Sequence, residues 1–166
     1  MEKIRLGKYT DADAARADIL QKELCALFLY TRNVLCRGKR MPLSETDAAV
    51  RAVAVSSEMY VPLSFFARFG FAEEKDDCLT ANGHTLEIRA ESVVCISDGK
   101  DTGSAAALTE ENEYLYVPIL PVCRMLGISA ACFDGKFVVL ASEDILRELA
   151  LCEGVRECLT YRLFGD

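Results

Sequence analysis

The chain has 166 residues, 51% hydrophobic and 27% charged, with a mean hydropathy of +0.14; that is too apolar for intrinsic disorder, and long enough to fold without a metal or disulfide staple. Twenty-six acidic against 19 basic side chains give a net charge of −7, the wrong sign for gripping phosphate backbones, so no nucleic-acid partner is expected. The longest apolar runs, 25–30 and 116–123, fall short of the ~18–20 residues that cross a bilayer, so no membrane insertion is expected.

The first ten residues lack the apolar core of a secretory signal. From Thr10 to about Leu24 an amphipathic helix is predicted: Thr10 and Asp11 suit an N-cap, and Ala12, Ala15, Ile19, Leu20 and Leu24 recur at three-to-four spacing. A strand follows at Leu27–Thr31, then Asn33–Cys36 and a turn at Arg37-Gly38-Lys39, with the basic knot Arg37–Arg40 read as a solvated hairpin tip. Residues 42–50 read as a polar connection. Val53 and Val55 alternate into Met59-Tyr60-Val61.

The most informative feature is a repeat. Tyr60-Val61-Pro62 through Gly70 recurs as Tyr116-Val117-Pro118 through Gly127, 56 residues apart at the triplets and 57 at the glycines. Tyr-Val ends a strand, Pro turns the chain into a short helix, and Gly caps that helix in the left-handed region. Pro121 would lie too deep in a helix begun at Pro118, so the second helix is predicted to start at Leu120 or Pro121. Its apolar face, Val122, Met125 and Leu126, matches Phe65, Phe66 and Phe69 of the first. Each copy continues as a hairpin. Asn82-Gly83 leads to 85–89, and Asp134-Gly135 leads to Phe137–Leu140. Val34–Lys39 and Val93–Lys100 form similar opening strands. After these, Ser142 caps a helix over 145–151 that Gly154 closes, and a second apolar segment runs from Val155 to Phe164.

The expected fold is α+β: antiparallel β-sheets with short helices, in two tandem β-β-α-β-β repeats with N- and C-terminal helices. The expected division is 1–32 (helix and lead-in strand), 33–141 (repeat one 33–91, repeat two 92–141) and 142–166 (a helical extension leading toward a further domain).

This double unit resembles the copper amine oxidase N-terminal-like domain. Tyr60-Val61-Pro62-Leu63 and Gly70 carry the resemblance in one copy. Tyr116-Val117-Pro118-Ile119, Gly127 and Asp134-Gly135-Lys136 carry it in the other. Phe133 replaces the family's usual Trp, Ser64 and Leu120 its Arg, and Arg68 and Arg124 its Glu. The resemblance implies a non-catalytic accessory domain of a larger bacterial protein, whose partners are other domains of the same polypeptide and whose place is secreted or at the cell surface. The alternative is a carbohydrate or cell-wall binding module. Tyr30, Tyr60, Tyr114, Tyr116 and Phe133 would supply its stacking face, although the repeat-equivalent Tyr60 and Tyr116 read better as packing residues.

Amine oxidation itself is excluded, because three copper-binding imidazoles cannot come from one histidine, His84. His84, beside the Asn82-Gly83 turn, reads as an exposed loop residue and not as the base of a Cys–His pair. The carboxylates at 73–77 and 110–113 lie in polar connectors with nothing apolar to raise a pKa. Gly99–Gly103 lacks phosphate-loop spacing. The eight cysteines show no C-x-x-C pair, and Cys36, Cys95 and Cys123 replace ordinary apolar residues. Eight free thiols are expected, which favours a cytoplasmic setting. No catalytic, cofactor-binding or metal-ligating residue, and no cofactor, is assigned.

Overall fold

Thr10 opens the first helix, α1 (Asp11–Leu20), with a capping box: its Oγ1 accepts from the Asp13 N–H at 3.1 Å, and Asp13 Oδ2 accepts from the Thr10 N–H at 3.0 Å. The computed structural model describes residues 9–76, 78–89, 91–109 and 114–164. A 3₁₀ turn (Gln21–Glu23) ends this lead-in, so the helix is shorter than its apolar spacing suggests.

The strands β1 (Cys25–Phe28), β2 (Asn33–Cys36) and β3 (Lys39–Pro42) form a meander. The strand expected at 27–31 starts two residues earlier and ends at Phe28. Cys25, Ala26 and Leu27 are all buried, whereas Tyr30 has φ +67° and donates its N–H to the Ala52 carbonyl, outside the ladder. The connection after β3 is less polar in its role than in its composition, since Leu43, Val50 and Ala52 are buried anchors. The hairpin of β4 (Val53–Val55) and β5 (Glu58–Pro62) turns on Ser56 and Ser57, both at positive φ.

The short helix α2 (Phe65–Arg68) follows, then β6 (Glu73–Lys75), β7 (Cys78–Ala81), β8 (His84–Arg89), β9 (Ser92–Ser97), β10 (Lys100–Ala106), β11 (Leu108–Thr109) and β12 (Leu115–Pro118). Then come α3 (Ile119–Leu126), β13 (Ala130–Phe133), β14 (Phe137–Leu140), α4 (Glu143–Leu151) and α5 (Glu153–Phe164). Asn82-Gly83 and Asp98-Gly99 form their hairpins with both residues at positive φ, the geometry whose twist suits flanking strands.

The fold is α+β with three antiparallel sheets, ordered β13-β14-β1-β2-β3, β10-β9-β8-β7-β6 and β11-β12-β5-β4. Moving seven places along the strand numbering turns the first sheet into the second and exchanges the two halves of the third. The topological repeat therefore comprises β1–β7 and β8–β14, with Cys25–Phe28 in the first unit and His84–Arg89 in the second. Each five-stranded sheet contains strands from both units, so the copies interlock. In the third sheet the two Tyr-Val-Pro words pair with each other: Val61 faces Val117, Tyr60 faces Pro118 and Pro62 faces Tyr116. A pseudo-two-fold axis passes through that valine pair.

Both helices end alike. The Phe71 N–H reaches the Phe66 carbonyl and the Gly70 N–H that of Ala67; Ile128 and Gly127 reach Cys123 and Arg124 in the same way. These are Schellman closures, which need a left-handed residue, and Gly70 (φ +81°) and Gly127 (φ +72°) supply it. The second helix begins at Ile119, earlier than expected. Pro121 is its third residue, within the first turn, where backbone N–H groups have no intrahelical acceptor, so its missing donor costs nothing. The partner of Phe66 in this frame is the buried Cys123, while Met125 is only half-buried.

One face of the first sheet (Cys25, Leu27, Val34, Cys36, Val138, Leu140) joins the main core with the third sheet, α2 and α3. Its other face (Ala26, Leu35, Phe137, Val139) packs under α1, α4 and α5 through Ala17, Leu20, Leu149, Val155 and Leu159. Burial on both faces explains why β1 and β14 read as continuous apolar runs. Ser142 caps α4, but Gly154 does not end it; it is the second residue of α5. A Cβ there would fall 1.9 Å from Asp13 Oδ2, so the glycine serves close approach to α1.

Candidate functional site

The second sheet and α3 enclose an open depression of about 470 Å³ lined by His84, Ser97, Thr102, Ser104, Pro121, Arg124 and Met125. Its geometry follows from the β8–β9 register. Thr85 faces Ile96, so His84 faces Ser97 across the hairpin, and His84 Nδ1 shares a hydrogen bond with Ser97 Oγ. Ser97 Oγ also lies 3.5 Å from Thr102 Oγ1, across the β9–β10 hairpin. His84 is thus half-buried in a strand, not exposed in a loop. The Asn82-Gly83 turn that suggested a loop is the hairpin that delivers it there. Asn82 fixes the adjoining end of α3 by donating from Nδ2 to the Leu126 and Gly127 carbonyls at 2.9 and 3.2 Å. Arg124 is exposed beside the pocket.

Such a lining offers hydroxyls, an imidazole and a guanidinium, and no carboxylate among the described residues. It suits the reception of an anionic or carbonyl oxygen. A nucleophilic serine requires its histidine to be held by a third group. Here the bonded ring nitrogen is the one facing Ser97, and no acceptor orients Nε2 among the described residues.

The other residues weighed from the sequence are scattered. Glu73–Lys75 form an exposed edge strand and not a connector, the placement in which charge discourages pairing with another chain. The carboxylates at 110–113 lie outside the described residues, as does residue 77. Gly99–Gly103 is a turn followed by a bulged strand, not a loop. Tyr60 and Tyr116 are buried and Tyr30 is exposed, while the Arg156 guanidinium lies 5.5 Å from the centre of the Phe133 ring. These aromatics do not make one stacking face. Among the basic residues Arg37 is no free hairpin tip. Its Nη1 donates to the Phe69 carbonyl at 2.9 Å and to Cys36 Sγ at 3.3 Å, and the guanidinium lies over Phe71.

No disulfide joins any of the cysteines among the described residues, and five of the eight are buried. Burial pushes the Cys123 thiol up to about 12. No group of three or more metal-ligating side chains occurs among the described residues. No helix there is long and apolar enough to cross a membrane. Neither the His84–Ser97 contact nor the Arg37–Cys36 contact was anticipated from sequence. The first depends on strand register, which local patterning does not report; the second joins sequence neighbours because the Arg37 side chain turns back toward the Phe69 carbonyl and the Phe71 ring.

Comparison with protein-family models, with curated proteins and with solved structures finds no match to this chain.

Proposed function

We propose that this chain is a non-catalytic accessory module of a larger bacterial protein, of the copper amine oxidase N-terminal-like type, that positions a neighbouring region of the same polypeptide. The supporting observation is where the repeated residues go. Tyr60 and Tyr116 are buried, Val61 and Val117 meet on the pseudo-axis, and Gly70 and Gly127 close helices. The residues that the two copies share are those that hold the two units together, as a scaffold requires. His84 and Ser97 occur in one unit only, so the pocket is an addition to that scaffold.

Turnover of chromogenic esters, phosphomonoesters and glycosides by the chain and by its Ser97→Ala variant tests the reading. No rate above buffer that depends on Ser97 is expected. A rate reduced about tenfold or more in Ser97→Ala would replace the accessory reading with a catalytic one. Co-sedimentation with insoluble polysaccharide, with and without Tyr30→Ala, addresses the cell-wall alternative: Tyr30-dependent saturable binding would favour it.

A further inference from the structure

Cys25 and Cys36 stand directly opposite each other on β1 and β2. The adjacent pair, Leu24 and Arg37, is joined through the Arg37 N–H and the Leu24 carbonyl at 2.9 Å. In an antiparallel ladder hydrogen-bonded and non-hydrogen-bonded pairs alternate, so Cys25 and Cys36 form a non-hydrogen-bonded pair, the kind whose side chains approach most closely. Both side chains point to the main core, Cys25 and Cys36 being buried there side by side. Arg37 Nη1 donates to Cys36 Sγ at 3.3 Å from the exposed hairpin turn that follows β2.

We infer that Cys25 and Cys36 form a peroxide-oxidisable dithiol, with Cys36 the attacking sulfur and Cys25 the resolving one, that closes to an intrachain disulfide across the first sheet. Several features separate the roles of the sulfurs. The neighbouring Cys25 thiol and the Arg37 guanidinium lower the Cys36 thiol to about 7, while burial pushes Cys25 well up. Cys36 ends its strand next to the exposed turn, and hydrogen peroxide is little larger than the water that wets that turn.

The Cys36 thiolate attacks one peroxide oxygen. The O–O bond breaks, hydroxide leaves and takes up a proton, and Cys36 becomes a sulfenic acid. The Cys25 sulfur then attacks Cys36 Sγ; its proton and the departing hydroxide leave as a second water. Two thiols and one peroxide become one disulfide and two waters, the dithiol giving up two electrons. Cys123, within electrostatic reach of Cys25 but held protonated by burial, takes no part.

The full chain, reduced and desalted, is treated with a graded excess of hydrogen peroxide, denatured, and alkylated with a maleimide for intact mass and peptide mapping. Wild type is expected to lose two of its eight alkylation sites, with the missing pair recovered as one cross-linked peptide joining Cys25 to Cys36. Cys25→Ser should stop at a Cys36 sulfenic acid that dimedone traps. Cys36→Ser should lose thiols about tenfold more slowly, because burial holds the Cys25 and Cys123 thiols protonated. Cys123→Ser should leave the cross-link unchanged. A cross-link between any other pair, dimedone on Cys25 in place of Cys36, or retention of all eight sites in folded wild type would overturn the inference. The wild-type peptide map alone decides it should the serine variants fail to fold.

Discussion

Phe66→Ala removes the aromatic ring that the first copy places where the second has only Cys123. Phe66 is fully buried and meets Phe65 edge-on, with ring centres 5.1 Å apart. The hole cannot readily close. The four-residue helix that carries Phe66 is held by Arg37, which donates to the Phe69 carbonyl, and by Arg68, whose Nε donates to the Pro42 carbonyl at 3.0 Å. The cost therefore belongs at the upper end for large-to-small core changes, about 3–5 kcal/mol. At roughly 2–4 °C per kcal/mol for a chain this size, the melting temperature should fall by roughly 6–20 °C. Cys123→Ala, at the equivalent position, gives up one sulfur and should cost only about 1 kcal/mol. Glu74→Ala, on the exposed edge strand, should lie within about 0.5 kcal/mol of wild type. Urea titrations followed by circular dichroism give all three values. A loss below about 1 kcal/mol for Phe66→Ala would refute the placement of that ring in a rigid core.

Gly127→Ala should destabilise more than Gly70→Ala in the same titrations. Both pay roughly 1–2 kcal/mol for a left-handed alanine, but at Gly127 the new Cβ also meets Asn82 Cβ and Nδ2 at 3.4 Å, against 3.9 Å to the Arg37 guanidinium at Gly70. Ser57→Gly should stabilise by about 0.5–1 kcal/mol, because Ser57 holds φ +68° without a glycine's freedom; a lower urea midpoint would contradict this. The bidentate Arg16–Glu148 pair linking α1 to α4 lowers the Glu148 pKa below its usual 4.5. Its stabilisation is present above that value and lost as the pH falls through the lower folded one. Glu148→Gln should thus be slightly less stable than wild type at pH 7 and equal to it in strong acid, and added salt should shrink the gap because the pair is exposed.

The parts of the fold written in local chemistry were legible in the sequence. Thr10 and Ser142 as caps, Asn82-Gly83 and Asp134-Gly135 as hairpin turns, and Gly70 and Gly127 as helix stops each depend on a few adjacent residues. What escaped depends on partners distant in sequence. Nothing in the word Tyr-Val-Pro says that its two copies pair with each other, nor that β1 lies between β2 and β14. Ser56-Ser57 carries no turn signature because serine adopts positive φ only when the flanking ladder compels it. Glu73–Lys75 has the composition of a loop and is a strand only by virtue of β7 beside it. The pocket is likewise a product of register: His84 and Ser97 meet because the β8–β9 hairpin makes them opposite.

The central claim is that two copies of one seven-strand unit interlock into a single cooperative scaffold, and differential scanning calorimetry of the full chain tests it most directly. At about 0.7 kcal/mol per residue the calorimetric enthalpy near 60 °C should be roughly 115 kcal/mol. Interlocked copies predict one transition whose van't Hoff enthalpy equals that value. A van't Hoff enthalpy near half of it, or two resolved transitions, would mean that the copies fold separately and would contradict the account.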